Sequence, residues 1–121
     1  MALKLGSQKT RKLTVEAVEP LDFGKTKVHK FDVELEIIPK TQWEAMFKGD
    51  SKPSDSEVLT QTLKDVVGLV DESDNPIAFD DDIKAAMLEE PWLVAALIDQ
   101  QVAIQVGKTG AEYRRLKLKN S

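Results

Sequence analysis

Residues 28–38 read VHKFDVELEII, and the period of that stretch decides the fold. Phe31, Val33, Leu35 and Ile37 alternate with Asp32, Glu34 and Glu36. Side chains of an extended chain point to opposite faces in turn, so the pattern predicts a strand with one buried face and one wet face. Upstream, residues 12–18 (KLTVEAV) put Leu13, Val15 and Ala17 on one face of a second strand. Residues 19–27 lie between them and contain Pro20 and Gly24, which predicts an antiparallel hairpin with a longer loop. A lone hairpin is marginal in water, so helices are expected over its apolar face.

The rest of the chain supplies those helices. Pro39 ends the strand; Thr41 and Glu44 have capping-box spacing, and a short helix is expected over 42–48 with Gly49 as its stop. Ser54 and Glu57 form a second such box. Val58, Leu59, Leu63, Val66, Val67 and Val70 then recur at spacings of three and four, which predicts one amphipathic helix reaching Gly68 or beyond. Residues 71–75 followed by Pro76 are turn chemistry, and residues 76–79 a short extended piece. Asp80, Asp81 and Asp82 open a helix whose inner face is Ile83, Ala86 and Met87. Pro91 suits the first turn of a last helix, because its missing amide has no partner there in any case. Residues 92–106 are apolar over most of the helix circumference, with Asp99, Gln100, Gln101 and Gln105 as the polar part, so this helix is central to the core or packs on a partner. The expected fold class is α+β: an N-terminal antiparallel β-hairpin packed against about four α-helices, with a mostly helical C-terminal half. One domain is expected over 1–121, with an ordered core at about 11–106 and mobile basic tails at 1–10 and 107–121.

Composition narrows the functions. The 121 residues are 41% hydrophobic and 31% charged, which fits an ordered domain. No cysteine is present, so disulfides and thiolate metal sites are excluded. No apolar run is long enough for a bilayer, and the N-terminus lacks the apolar centre of a signal peptide, so export is not expected. The net charge of −4 conceals a division: residues 1–30 carry +4, residues 31–106 carry −12 and residues 107–121 carry +4. The ends are either plain solvated tails or basic segments that meet the acidic middle of another copy. An acidic domain is a poor nucleic-acid binder, because phosphate contacts need a basic surface.

Few residues suggest chemistry. Asp71, Ser73, Asn75 and Asp82 occupy the first, third, fifth and twelfth positions of a calcium loop, yet Pro76 stands where glycine makes the bend and Asp82 where a longer glutamate chelates. Turn and helix cap explain these residues better. Gly107, Lys108 and Thr109 resemble the end of a phosphate-binding loop, but Val102 replaces its first glycine and a helix precedes it. The single histidine, His29, is read on the polar face of its strand, in a structural or surface role. Carboxylate pairs (Glu34 with Glu36, Asp80 to Asp82, Glu89 with Glu90) have ordinary roles as caps or solvated faces. Trp43, Phe47, Phe79 and Trp92 are read as core, with one tryptophan as a possible interface anchor. No catalytic, cofactor-binding or metal-binding residue is assigned.

The order of pieces is more telling. Val66, Val67 and Val70 lead to Asp71, then Pro76, Ile77 and Phe79, the Asp80 cap, a short helix, and Pro91 before a helix with Ala95 and Ala96. Over residues 31–105 this order resembles the tail assembly chaperones of long-tailed (siphovirus-type) bacteriophages. The resemblance implies a non-enzymatic protein, acting in the host bacterial cytoplasm and absent from the mature virion. It would coat the tape measure protein, help recruit tail tube protein, and self-associate as a homo-oligomer or spiral, with no cofactor, nucleic acid or membrane. Family members often also have a longer frameshifted form. The residues expected to meet a partner are Trp92, Leu93, Leu97, Arg114 and Arg115. The alternatives are another phage or prophage structural protein, such as a minor tail component, and a small acid–base or metal-dependent enzyme.

Overall fold

The computed structural model describes residues 9–107. Strands β1 (Thr10–Pro20) and β2 (Thr26–Glu36) form the expected hairpin, antiparallel and in register from Thr10 opposite Glu36 to Pro20 opposite Thr26. Val15, Ala17, Phe31, Val33 and Leu35 are buried on one face, as the alternation demands. Beyond Glu36 the chain leaves the sheet, and Ile38 rather than Ile37 takes the buried place. Four helices follow: α1 (Lys40–Met46), α2 (Asp55–Thr62), α3 (Asp81–Leu88) and α4 (Pro91–Gln105). The architecture is α+β.

The main departure from the sequence reading concerns the valine-rich segment. Helix α2 ends at Thr62, and Leu63–Val67 is a strand, β3, antiparallel to β2, so the sheet has three strands in the order β1-β2-β3. Leu63 and Val66 are three residues apart yet both buried. A bulge accounts for this: Leu35 faces Leu63 while its neighbour Glu34 faces Asp65, which leaves Lys64 as the extra residue. The Asp65 carboxylate accepts the Val66 amide at 2.9 Å beside it. Spacing by three, read as a helix, is here two inward positions separated by a bulge. Val67→Ala tests the assignment by sign. Val67 is 59% exposed in the strand, so losing its branched side chain should lower stability by up to about 1 kcal/mol, whereas in a helix alanine would raise it. Thermal or urea unfolding measures the difference.

Cap signals fared unevenly. Ser54 and Glu57 form the reciprocal capping box, with the Glu57 amide donating to Ser54 Oγ at 3.2 Å, and Asp80 Oδ1 accepts the Ile83 amide at 2.8 Å. Thr41 does not cap α1, because the Pro39 carbonyl already accepts the Trp43 amide at 2.9 Å and sets the helix start earlier. Ala86 is exposed, not inward, and α3 reaches the core through Met87 with Ile83 and Leu88 packed against it. The acidic turn forms as expected. Asp71 Oδ1 accepts the amides of Ser73 and Asn75, and Val70 bridges to Pro76 across it.

Helix α4 crosses the inner face of the hairpin and packs mainly on β1 and α2. Its buried stripe is Leu93, Leu97, Gln100, Gln101 and Ala103, so two glutamines assigned to the wet side lie inside. Gln101 is held there through its amide nitrogen, while its Oε1 is buried without a partner among the described residues. Gln101 Nε2 donates to the Glu36 carbonyl and to Gln105 Oε1, both at 2.9 Å, and Gln105 accepts the Ile38 amide and donates to the Ile38 carbonyl, both at 2.8 Å. The end of β2 is thereby held by α4.

Candidate functional site: the clefts beside the last helix

An α-helix apolar on every side cannot bury all of itself against one sheet. The flanks of α4 that the core leaves over line two open clefts. Near its start, Trp92, Ala95 and Ala96 face Val18 and Pro20 across a cleft of about 410 Å³, with Glu16 and Asp99 at the rim. Toward its end, Ile98 and Val102 face Trp43 and Phe47 of α1 across a cleft of about 570 Å³, with Glu44, Lys48 and Asp55 around it. Trp43 and Phe47 meet edge to face, their ring centroids 4.8 Å apart. Helix α1 has no buried residue, so its aromatic side is only partly covered.

Of the residues expected to meet a partner, Trp92 is half-buried and borders the first cleft. Leu97 does not face outward, and Leu93 shows only a small part of its surface, in a further cleft beside His29, Met87 and Trp92. Leu93 and Leu97 are 9% and 0% exposed and belong to the core, because the inward sheet residues require a cover and α4 supplies it. Arg114 and Arg115 lie outside the described residues, as do Lys108 and Thr109 and most of both basic tails.

His29 occupies the same strand face as Phe31, Val15 and Ala17, not the polar face, since it stands two residues before Phe31. Its ring stacks on Trp92, centroids 5.0 Å apart, and its Nε2 lies 2.8 Å from Glu19 Oε1. An ionised carboxylate only accepts, so Nε2 carries the proton. The pair fixes Trp92 at the junction of hairpin and helix. Lys84 donates to the Thr60 carbonyl and ties α3 to α2. Partial burial, with Lys64 nearby, draws its amine below the usual lysine range. In the turn, Asp71 Oδ1 accepts the amides of Ser73 and Asn75, so this carboxylate shapes the bend. Among the described residues no group of three His, Asp or Glu side chains is arranged to hold a metal ion.

The feature the sequence reading missed is at the hairpin end. Phe23 is 98% exposed, and Val18, Leu21 and Val28 of the same hairpin are each about half exposed. The signal was present in the stretch LDFG at 21–24, an aromatic in a turn where glycine, asparagine or aspartate is usual.

No helix among the described residues is long and apolar enough to cross a membrane. Comparison with protein-family models, with curated proteins and with solved structures returned no match.

Proposed function

We propose that this protein is a tail assembly chaperone of a long-tailed bacteriophage, a non-enzymatic protein that coats the tape measure protein and helps recruit tail tube subunits. The observation that carries the reading is the order of pieces from Val66 through Asp71, Pro76, Phe79 and Asp80 to Pro91. The valine-rich part of that order is a strand here, so the likeness lies in sequence order and not in a helix at that place.

The surface supports the reading in kind. A chaperone for a long helical chain needs apolar grooves that an amphipathic helix can enter with residues spaced by three and four. The two clefts beside α4 have that character, each lined mostly by apolar surface with charged residues among the lining. Many copies in series would be required along one tape measure chain, and head-to-tail contacts that do not close produce such a series. In this reading the protein works in the host cytoplasm and leaves before the virion is complete.

Co-expression with the tape measure protein of the same phage tests the proposal. The tape measure chain should be largely insoluble alone, and soluble and co-purifying with several copies of this protein. If its solubility is unchanged and nothing co-purifies, the chaperone reading is wrong, and the alternative of a minor tail component is then tested by looking for the protein in purified virions.

A further inference from the structure

Phe23 occupies the outermost turn of the β1–β2 hairpin with a left-handed backbone, φ 60°, and an almost fully exposed ring. Both features disfavour the free chain: a bulky side chain suits that conformation poorly, and an apolar ring gains nothing from water. Asparagine or glycine would serve the turn better. A knob that is costly alone becomes favourable when a hole receives it.

The open apolar cleft lined by Trp43, Phe47, Ile98 and Val102 can receive such a knob, and it lies toward the other end of the molecule. Helix α4 starts beside the hairpin end, where Trp92 stacks on His29, and finishes beside Ile38 at the open end of the hairpin, where α1 begins. Phe23 lies beyond the last paired residues, Pro20 and Thr26. Its own cleft is therefore out of reach, and only another molecule can bring the two together. Their charges match. Lys25 and Lys27 flank the knob on one side and Asp22 on the other, while the cleft carries Glu44 and Asp55 with Lys48.

We propose that Phe23 of one copy inserts into the cleft formed by Trp43, Phe47, Ile98 and Val102 of the next copy, joining the molecules head to tail. Knob and cleft are different surfaces, so the contact is heterologous and each copy keeps one free half, which extends the series. This rests on the serial association in the function proposed above, not on which chain is coated.

The test uses two full-length variants, Phe23→Asn without the knob and Phe47→Glu with a charge in the cleft, analysed by sedimentation velocity across a concentration series. Wild type should associate increasingly with concentration. Each variant alone should associate at least about tenfold more weakly, because an aromatic anchor in a pocket dominates such contacts. Compared at a concentration low enough that wild type is monomeric, Phe23→Asn should keep or raise its melting temperature, since the turn is relieved. Mixed in equal amounts, the two should form a 1:1 dimer and stop there, through the one intact knob and the one intact cleft. A wild type that stays monomeric at every concentration overturns the serial association and this interface with it. An associating wild type matched by either variant, or two monomeric variants that do not pair on mixing, overturns the interface alone. Dissociation of Phe23→Asn accompanied by a melting temperature below that of monomeric wild type would assign Phe23 to folding and overturn it as well.

Discussion

Leu97→Ala should destabilise the protein by about 2–5 kcal/mol, a large part of what a domain of this size possesses. Leu97 is wholly buried, in one cluster with Val15, Ala17, Leu59 and Leu93. Deleting three carbons there loses their transfer energy, and the strands and helices around the site collapse only partly into the gap. In urea the midpoint should fall while the slope stays near that of wild type, because the surface exposed on unfolding scarcely changes. Under the proposed function, binding to a tape measure segment, measured per folded molecule, should stay close to wild type. The sequence reading, which placed Leu97 on a partner surface, requires the opposite: a stability loss below about 0.5 kcal/mol together with loss of binding. The two results are easily distinguished, and the second would mean that α4 is not the cover of the sheet.

What the sequence could and could not disclose follows from the range of each signal. Alternation in 28–38 is local and carries the strand with it, and so the buried face of β2 was legible from Phe31 to Leu35. The caps at Ser54 and Asp80 were legible for the same reason: donor and acceptor lie three residues apart. Strand β3 was not, because a bulge at Lys64 puts Leu63 and Val66 on one face at a spacing that also fits a helix. Only the presence of β2 as a pairing partner decides between them, and pairing between distant segments leaves no local trace. Periodicity failed on α4 for a different reason. A helix apolar all round has no preferred face, so Leu93 and Leu97 could not be told from Ile98 and Val102 before the sheet was in place.

The candidate site was less legible than the fold. Its second cleft joins Trp43 and Phe47 of α1 to residues some fifty positions later, and nothing in either segment announces the other. Trp92 was singled out for its size and does border a cleft, but its ring is also committed to His29. The same helix thus seals the core on one side and floors two open surfaces on the others. That division makes mutations on α4 separable: inward residues should report on stability, and Val102, which lines the second cleft outside the core cluster, on the proposed association.

Gln105→Ala should cost about 2–3 kcal/mol, although the side chain is only partly buried. One side-chain amide meets both backbone groups of Ile38, accepting from its N–H and donating to its carbonyl at 2.8 Å each, and also accepts from Gln101. Ile38 itself is 1% exposed. Alanine leaves a donor and an acceptor unmet where water has little access, and each such group costs about 1–3 kcal/mol unless the chain moves to expose it. Movement is the other route, and it has a visible consequence. Pro39 follows directly, and its carbonyl accepts the Trp43 amide in the first turn of α1, so a chain that loosens at Ile38 loosens the start of that helix and the aromatic wall of the second cleft. Hydrogen exchange distinguishes the two routes. The Ile38 amide should lose protection in either case, while the amides of Trp43 and Phe47 should lose it only if α1 moves. A Gln105→Ala protein as stable as wild type, with the Ile38 amide still protected, would show that the sheet end is held by packing and not by the glutamine clamp.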